Sequence, residues 1–404
     1  MIREQLKEAK KACRFMQNVK PKVKNKALKN ISEALIQKSE LIIQENQKDI
    51  AEAKNNGIKE SMVDRLLLNK ERIEAMAKDI LKVIDLQDPI GTLVREIKRP
   101  NGLVIPLGVI GVIYESRPNV TVDIASLCIK TNNVCVLKGG KEAIHSNRIL
   151  VQIINEAIQD VLPAHTVTLI ETKKREETLD LIQAHDYVDV IIPRGSAGLI
   201  QYVVKNATVP VIETGAGICH LYVDQEANLD MALEIAKNAK IQRPSVCNAI
   251  ETILVHQKVA PEFLPKLQEI FKNVQIYGDE KTRKIIDCLE ATEKNYATEY
   301  DDYICNIKVV DDIEEAIEHI YNYSTKHSES IITENKETAK YFMESLDSAC
   351  VYHNASTRFS DGGQFGFGAE VGISTQKLHA RGPLGLQEIT STKYMIYGNG
   401  QVRS

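Results

Sequence analysis

Short apolar runs alternate with stretches of helical spacing between residues 133 and 213, and this alternation constrains the fold more than any other feature. Strands that alternate with helices predict βαβ units and a parallel, doubly wound sheet. Such sheets bind ligands at the carboxyl ends of their strands. The predicted strands are NVCVL (133–137), TVTLI (166–170), YVDVII (187–192) and VPVIE (209–213), and the helices between them are KEAIHSNRILVQIINEAIQ, REETLDLIQAH and SAGLIQYVVKNA.

Three further regions flank this alternation. Residues 1–85 have the apolar spacing of amphipathic helices, with a break at Gly57. Two β-type runs around a Pro-Asn-Gly turn predict a protruding hairpin at 92–105. A second α/β block begins after Gly217 and ends in a glycine-rich segment and a strand-like tail. That block contains HLYVD, NLDMALEIAKNAK, AIETILVH, PEFLPKLQEIFKN, DIEEAIEHI, ACVYH, STRFSDGGQFGFGAEVG and QEITSTKYMIYG.

Composition favours a globular, soluble protein whose partner is a small molecule. Of the 404 residues, 43% are hydrophobic and 26% are charged, so the chain can bury a large core in two or three domains. Positively and negatively charged residues are interspersed along the chain and give a net charge of -4. This pattern argues against a basic surface that binds nucleic acid or an anionic membrane. No signal peptide and no apolar run near the roughly 20 residues of a membrane span is found. Eight cysteines without metal-ligand spacing predict no metal site and free thiols in the cytoplasm.

Cys247 lies in NAKIQRPSVCNAIET (238–252), just past the end of a helical pattern, and is the candidate nucleophile. A structural cysteine normally lies inside an apolar run. An unperturbed thiol is only a few per cent thiolate at neutral pH, so reactivity requires a nearby cation or hydrogen-bond donors, and Arg243 is a candidate cation. The alternative is a buried thiol that only packs.

Glu213 ends an apolar strand and is followed by TGAG, in which Gly215 and Gly217 permit close approach of a ligand or of another backbone segment. A carboxylate at the carboxyl end of a parallel strand lies where active sites form. The alternative is a solvated glutamate that makes a structural hydrogen bond.

Lys138 and Lys141 straddle two glycines immediately after the strand NVCVL. An ammonium group there can reach a ribose hydroxyl or a phosphate, and the following helix adds its positive end. The alternative is a solvated pair of lysines. The stretch IIPRGSAGLI places Gly195, Ser196 and Gly198 between a strand and a helix, which suits a phosphate cradle but lacks the full GxGxxG spacing.

The glycine-rich stretch carries Arg358 near its front, and Arg381 follows it. Both suit recognition of a carboxylate or phosphate through charge-assisted hydrogen bonds, although a surface loop without a ligand is the alternative. Arg117 and Asn119 follow an apolar strand in PLGVIGVIYESRPNVTVD, where each is as readily structural as functional.

Taken together and in this order, these stretches resemble the aldehyde dehydrogenase superfamily, and more narrowly its branch that reduces L-glutamyl 5-phosphate. RPSVCNA and the glycine-rich segment carry the narrower likeness. The resemblance implies an α/β, aldehyde dehydrogenase-like fold with a doubly wound cofactor domain, an α/β catalytic domain and a small β element for oligomerisation. The implied boundaries are 1–91, 106–214 and 360–387 for the NADP-binding domain, 215–359 for the catalytic domain, and 92–105 and 388–404 for the oligomerisation strands.

The resemblance also implies roles for individual residues. Cys247 is the catalytic cysteine, and Glu213 matches the carboxylate that activates water in oxidising relatives. Lys138 binds the adenine ribose, and Glu299 binds the nicotinamide ribose. The phosphate groups of the cofactor are bound by Gly195, Ser196 and Gly198. The phosphate and the α-carboxylate of the substrate are bound by Arg243, Arg358 and Arg381.

Two departures from the oxidising relatives affect the expected mechanism. Arg117 replaces an asparagine that helps to hold the oxyanion, and Asn119 lies close by, so both are candidates for that role. Lys141 replaces a glutamate of NAD-preferring relatives, and its charge favours the 2′-phosphate of NADP. A water-activating base would hydrolyse the thioester that a reductase must preserve, so we expect Glu213 to relay protons or to act structurally.

The implied reaction is the NADPH-dependent reduction of L-glutamyl 5-phosphate to L-glutamate 5-semialdehyde, the second step of proline biosynthesis, through a thioester on Cys247. We expect a cytoplasmic homodimer or higher homo-oligomer, with glutamate kinase as a candidate partner. One alternative is an NAD-dependent semialdehyde dehydrogenase that releases the acid, which Lys141 and RPSVCNA disfavour. The other is a non-catalytic dimeric scaffold with an unreactive Cys247.

Overall fold

The computed structural model describes residues 2–94, 102–172, 175–360, 366, 370–400 and 402–403, and it confirms the predicted α/β fold with parallel sheets. The chain divides into two compact units. Unit 1 consists of the described residues of 1–213, 366–372 and 384–404, and unit 2 consists of those of 214–365 and 373–383. Within these described ranges, no helix is long and apolar enough to cross a lipid bilayer.

Helices and strands alternate along most of the chain. The elements up to residue 213 are α1 (Ile2–Met16), α2 (Pro21–Gln37), α3 (Ser39–Asn55), α4 (Glu60–Leu66), α5 (Lys70–Asp85), β1 (Leu93–Val94), β2 (Gly102–Pro106), β3 (Val109–Tyr114), α6 (Asn119–Lys130), β4 (Val134–Gly139), a 3₁₀ turn (Lys141–Ala143), α7 (Ile144–Ile158), β5 (Val167–Leu169), α8 (Arg175–Ile182), β6 (Val190–Arg194) and α9 (Ala197–Asn206). The elements after it are β7 (Cys219–Val223), α10 (Leu229–Ile241), β8 (Ile250–His256), α11 (Ala260–Ile270), β9 (Gln275–Gly278), α12 (Glu280–Arg283), β10 (Leu289–Glu290), α13 (Glu293–Tyr296), β11 (Ile304–Val310), α14 (Ile313–Tyr323), β12 (Ser328–Ile332), α15 (Lys336–Ser345), β13 (Cys350–His353), a second 3₁₀ turn (Thr357–Ser360), β14 (Ile373–Ser374), β15 (Gly382–Pro383) and β16 (Thr390–Tyr394).

The N-terminal helices bury one apolar stripe each. Leu28 and Ile31 of α2 are fully buried, and α2 packs against α5. Pro21 begins α2, a position where its missing N–H group costs no helical hydrogen bond. Gly57 has a φ of +66° just after α3 ends, which matches the predicted break because glycine adopts this conformation without strain.

The parallel sheet of unit 1 has the strand order β5-β4-β3-β6. The chain starts at the centre with β3, adds β4 and β5 on one side, and then crosses over to add β6 on the other. The carboxyl ends of β3 and β6 therefore meet at a topological switch point, where sheets of this kind bind ligands. The predicted strand at 209–213 contributes only an isolated bridge between Val211 and Ile191.

A small antiparallel sheet in unit 1 joins two distant parts of the chain. β2 pairs with β1 on one side and with β16 on the other. The two strands of the hairpin predicted at 92–105 are present, and Pro100 and Asn101 of its turn lie outside the described residues. The strand order β1-β2-β16 leaves β16 at one edge of this sheet.

Unit 2 is built on a parallel sheet with the strand order β10-β9-β11-β8-β7-β12-β13. The central strands β7 and β8 are buried along their whole length, as expected for strands that are covered on both faces. The loop that contains Cys247 connects α10 to β8 and therefore lies at the amino end of a central strand.

Residues 373–383 belong to unit 2, whereas the predicted NADP-binding domain included all of 360–387. The reason is hydrogen bonding: the Gly215 N–H group donates to the Ile373 carbonyl over 3.1 Å, and Thr214 pairs with Ser374. The glycine-rich stretch gave no sign of this pairing in the sequence.

Candidate active site

Cys247 lies in the loop 242–249, and its side chain is half-buried. The backbone of Gly217 packs directly against the Cys247 carbonyl group, since a Cβ atom at Gly217 would lie 1.4 Å from that oxygen. The thiol of Cys219 donates a hydrogen bond to the same oxygen over 3.2 Å. Burial raises the pKa of Cys219 well above its ordinary value, so this thiol stays protonated and able to donate. The main chain at Cys247 is thus held by two residues of the neighbouring segment.

Glu299 is connected to the Cys247 loop through Gly217. Its carboxylate accepts a hydrogen bond from the Gly217 N–H group over 2.7 Å. Burial, followed by the nearby Asp301 carboxylate, raises the pKa of Glu299 to about 7, and Cys247 acts in the same direction. The Gly217 hydrogen bond and His327 act in the opposite direction. A carboxyl group that titrates near neutral pH therefore lies within electrostatic reach of the candidate nucleophile.

Asn248, the residue after Cys247, ties the loop to the front of the glycine-rich segment. Its side-chain oxygen accepts a hydrogen bond from the Arg358 guanidinium group, and its main-chain oxygen accepts one from the Thr357 hydroxyl over 2.6 Å. Arg358 also donates from Nε to Oε1 of Gln242 over 3.1 Å. The structure therefore brings Arg358 to the same loop as Cys247, although the two are 111 positions apart in the sequence.

The two other predicted arginines differ in position. Arg243 is exposed in the Cys247 loop itself. Arg381 donates to Oδ1 of Asp347 over 3.0 Å and to its main-chain oxygen over 2.9 Å. Lys377 and Arg381 together lower the pKa of Asp347 to about 2. The guanidinium group of Arg381 is therefore engaged by an ion pair, and no contact in the described part of the chain joins it to the Cys247 loop.

A cavity of about 510 Å³ in unit 1 contains most of the predicted cofactor residues. Lys138 lies near the end of β4, Lys141 begins the 3₁₀ turn that follows, and Ser196 and Gly198 lie at the start of α9. Ser196 caps this helix, since its hydroxyl accepts a hydrogen bond from the Leu199 N–H group over 3.4 Å. The cavity offers two lysines and the positive end of a helix to an anionic ligand.

Two carboxylates that the sequence did not single out also line this cavity. Glu115 accepts a hydrogen bond from the Ser196 N–H group over 2.8 Å, and Glu142 accepts bonds from the N–H and hydroxyl groups of Ser116 over 2.7 and 3.0 Å. Burial lowers the pKa of Lys138, and Glu142 and Glu115 oppose this effect. No sequence signal identified these residues, because their partners are 81 and 26 residues away in the chain.

The remaining predicted catalytic residues belong to unit 1. Asn119 begins α6, and its side-chain amide donates to Oδ2 of Asp123 over 2.9 Å. Burial raises the pKa of Asp123 to about 7 against the effect of this hydrogen bond. Arg117 is half-buried in the loop before α6, and Glu213 is half-buried at the last position of the main segment of unit 1. Cys247 belongs to unit 2.

Comparison with known proteins identifies the family. The model of the aldehyde dehydrogenase family matches residues 1–286. Gamma-glutamyl phosphate reductase of Petrotoga mobilis is 55% identical over 98% of this chain and 97% of that protein. The chain belongs to the aldehyde dehydrogenase family, in its gamma-glutamyl phosphate reductase branch. The crystal structure of gamma-glutamyl phosphate reductase from Thermotoga maritima matches with a TM-score of 0.92 at 48% identity and covers 99% of both chains. The resemblance predicted from the sequence motifs is thus confirmed.

More distant members of the family share the fold. An engineered glycolyl-CoA reductase with bound NADP⁺ matches with a TM-score of 0.74 and covers 98% of this chain and 96% of that one. At 16% identity this likeness shows the fold alone. Aldehyde dehydrogenases use a nicotinamide cofactor, and this chain is an oxidoreductase of that family.

Proposed function

We propose that this protein reduces L-glutamyl 5-phosphate to L-glutamate 5-semialdehyde and phosphate with NADPH, in the second step of proline biosynthesis. Relatives that share 55% and 52% of its residues over nearly their whole length are named for this activity. The observation that carries the proposal is the setting of Cys247. Its thiol is half-buried, its main chain is held by Gly217 and Cys219, and the next residue binds the guanidinium group of Arg358.

Cys247 is the nucleophile in this proposal. Its thiolate attacks the acyl carbon, the bond from that carbon to the phosphate oxygen breaks, and phosphate leaves with the electron pair, so that a thioester remains on Cys247. When bound, the nicotinamide cofactor supplies the hydride that reduces this thioester. In the resulting thiohemiacetal the C–S bond then breaks, the sulfur takes back its electron pair, and the hydroxyl group loses its proton as the aldehyde forms.

The cavity of unit 1 fits a nicotinamide dinucleotide in charge and in access. A Cβ atom at Gly198 would have no heavy atom within 4 Å, so the space beside this residue of α9 is open. By the family resemblance, Lys138 would hold the adenine ribose and Glu299 the nicotinamide ribose. Gly195, Ser196 and Gly198 would hold the pyrophosphate.

The preference for NADPH rests on Lys141. Lys141 is exposed and lines the cavity, two residues after the end of β4. A cation in this position favours a 2′-phosphate over a 2′-hydroxyl group, because the phosphate carries nearly two negative charges.

Two groups are candidates for stabilising the oxyanion, together with the Cys247 N–H group. The Asn119 amide at the start of α6 is already oriented by Asp123, and Arg117 lies in the loop just before this helix. Loss of one oxyanion donor typically lowers the rate by about 10² to 10³.

Arg358 is the best supported ligand for the anionic groups of the substrate, since it is anchored to the Cys247 loop through Asn248 and Gln242. Arg243 is a second candidate from the same loop. Arg381 would bind the substrate only if its ion pair with Asp347 were broken.

Three further predictions from the sequence stay part of the proposal. Glu213 would relay protons or act structurally, because a water-activating base would destroy the thioester. The protein would form a homodimer or higher homo-oligomer through the small antiparallel sheet. Glutamate kinase, which makes the acyl phosphate, is the candidate partner.

The test is the reverse reaction. Glutamate semialdehyde is added with NADP⁺ or NAD⁺, with and without phosphate, and the absorbance of the reduced cofactor is followed. We expect reduction of NADP⁺ that requires phosphate, and a loss of about 10³-fold or more in Cys247→Ala because the nucleophile is gone. Cys288→Ala is the matched control, since Cys288 is another half-buried thiol of unit 2, and it should keep wild-type activity.

Other outcomes contradict the proposal. Reduction of NAD⁺ without phosphate would indicate the hydrolytic dehydrogenase. Absence of any reaction in wild type and in both variants would favour the non-catalytic scaffold.

A further inference from the structure

The first turn of α9 already carries an anion supplied by the chain itself. The carboxylate of Glu115 accepts a hydrogen bond from the Ser196 N–H group over 2.8 Å, at the N-terminus of a ten-residue helix. The same carboxylate lies against Gly195, where a Cβ atom would be only 2.4 Å from its Oε2 atom. A carboxylate in this position is favourable, because it satisfies one of the helix's unpaired donors and meets the positive end of the helix dipole.

The Ser196 N–H group is one of the donors that a cofactor phosphate would use. Phosphate groups bind helix N-termini through these unpaired N–H groups. A carboxylate and a phosphate at the same helix end repel each other and compete for its donors. Binding of a phosphate to the Ser196 N–H group therefore requires Glu115 to leave it.

We propose that Glu115 is an intramolecular competitor for the cofactor's phosphate site and thereby sets the affinity for the cofactor. This inference rests on the proposed function, because it takes the cavity of unit 1 to be the cofactor site. In the absence of cofactor Glu115 holds the loop after β6 against the loop after β3. On binding, the phosphate replaces the carboxylate at α9, and Lys138, which lines the same cavity and interacts electrostatically with Glu115, is left to partner the displaced anion.

A different role for Glu115 makes the opposite prediction. If its carboxylate instead accepted hydrogen bonds from a ribose hydroxyl group, removal of the carboxylate would weaken binding. The sign of the change in affinity therefore separates a competitor from a ligand-binding residue.

The experiment measures binding rather than turnover. NADPH is titrated into the full-length protein by its own fluorescence, and ADP-ribose, which lacks the nicotinamide, is titrated by competition. We expect Glu115→Gln to bind both about tenfold more tightly than wild type, since the charge-assisted hydrogen bond that competes with the phosphate is lost. Glu115→Ala should change the affinity in the same direction.

Glu142→Gln is the matched control, because Glu142 lines the same cavity but is bonded to Ser116 and not to α9. It should tighten binding clearly less than Glu115→Gln. If both variants bound the cofactor equally more tightly, the loss of one negative charge from the cavity would explain the effect, and Glu115 would have no specific role. Unchanged or weaker binding in Glu115→Gln and Glu115→Ala would also refute the proposal that Glu115 competes with the phosphate. Failure of wild type to bind either probe would instead count against the proposed function.

Discussion

Glu299 is a titratable residue that interacts electrostatically with Cys247. Because burial and Asp301 raise its pKa to about 7, Glu299 changes from neutral to charged as the pH rises through the physiological range. Above pH 7 its carboxylate repels the Cys247 thiolate. We therefore expect Cys247 to react more slowly than it would beside a neutral side chain at position 299. We predict that Glu299→Gln reacts several-fold faster with iodoacetamide at pH 8 and at the wild-type rate at pH 6. Mass spectrometry of the peptide that contains Cys247 measures this rate.

The Cys288 peptide provides the control in the same samples, since Cys288 is half-buried in the same unit but has no electrostatic coupling to Glu299 among the interactions described. Its alkylation should be identical in wild type and variant at both pH values. If the Cys247 rates also agreed at pH 8, the charge of Glu299 would not control the nucleophile.

At the scale of elements, a buried ion pair holds together the helix and the strand on either side of the Cys247 loop. Lys240 in the last turn of α10 lies 2.7 Å from Glu251 in β8, and both side chains are almost fully buried. Burial raises the pKa of Glu251, whereas Lys240 lowers it. We predict that Lys240→Met lowers the free energy of unfolding by about 3–5 kcal/mol, because it leaves an uncompensated buried carboxylate. Denaturant unfolding measures this change.

The double variant Lys240→Met/Glu251→Leu tests whether the loss comes from the orphaned charge. A well-packed apolar pair should recover most of the stability, since buried ion pairs contribute little net free energy compared with apolar isosteres. Equal destabilisation in the single and double variants would show that the ion pair itself contributes the stability.

The strands show which parts of the fold could be predicted from the sequence and which could not. Strands β3 and β4 were predictable, because their apolar runs are continuous. β12 was missed, since Ser328, Glu329 and Ser330 are polar and yet fully buried. Glu329 is tolerated there because the N–H group of His220 and the hydroxyl groups of two serines donate to it. Those donors lie on other elements, so no local pattern reveals them.

The tertiary structure decides which charges pair at the candidate site. Cys247, Lys138 and Ser196 could be singled out from the sequence, because each lies at or beside the boundary between a regular element and a loop, and their functional roles stay predictions. Glu115 could not, since its hydrogen-bond partner is an N–H group in the loop after another strand. Arg381 was singled out by its charge and its neighbours, but that charge is paired with Asp347. Sequence patterns thus single out candidate residues, whereas the pairing of charges depends on the tertiary structure.

At the scale of the whole molecule, the chain returns to unit 1 after completing unit 2. The described residues of 366–372 belong to unit 1, 373–383 belong to unit 2, and the described residues of 384–404 belong to unit 1 again. The last of these crossings delivers β16 to the edge of the small antiparallel sheet. The C-terminal tail therefore completes a surface whose other strands lie between residues 93 and 106.

We predict that two copies of the chain pair through this small antiparallel sheet. β16 pairs with β2 on one side, and the exposed residues Ile396 and Tyr397 follow it, with 77% and 86% of their surface accessible. An edge strand with apolar neighbours favours pairing with another chain, and closed two-fold dimers are the commonest result. We therefore expect the wild-type protein to have twice its chain mass of 45.2 kDa by light scattering, and Ile396→Asp/Tyr397→Asp to be monomeric at micromolar concentration. Leu378→Asp, at an equally exposed apolar position of unit 2, should leave the dimer intact. A monomeric wild type, or a double variant that stays dimeric, would remove this sheet from the proposed interface.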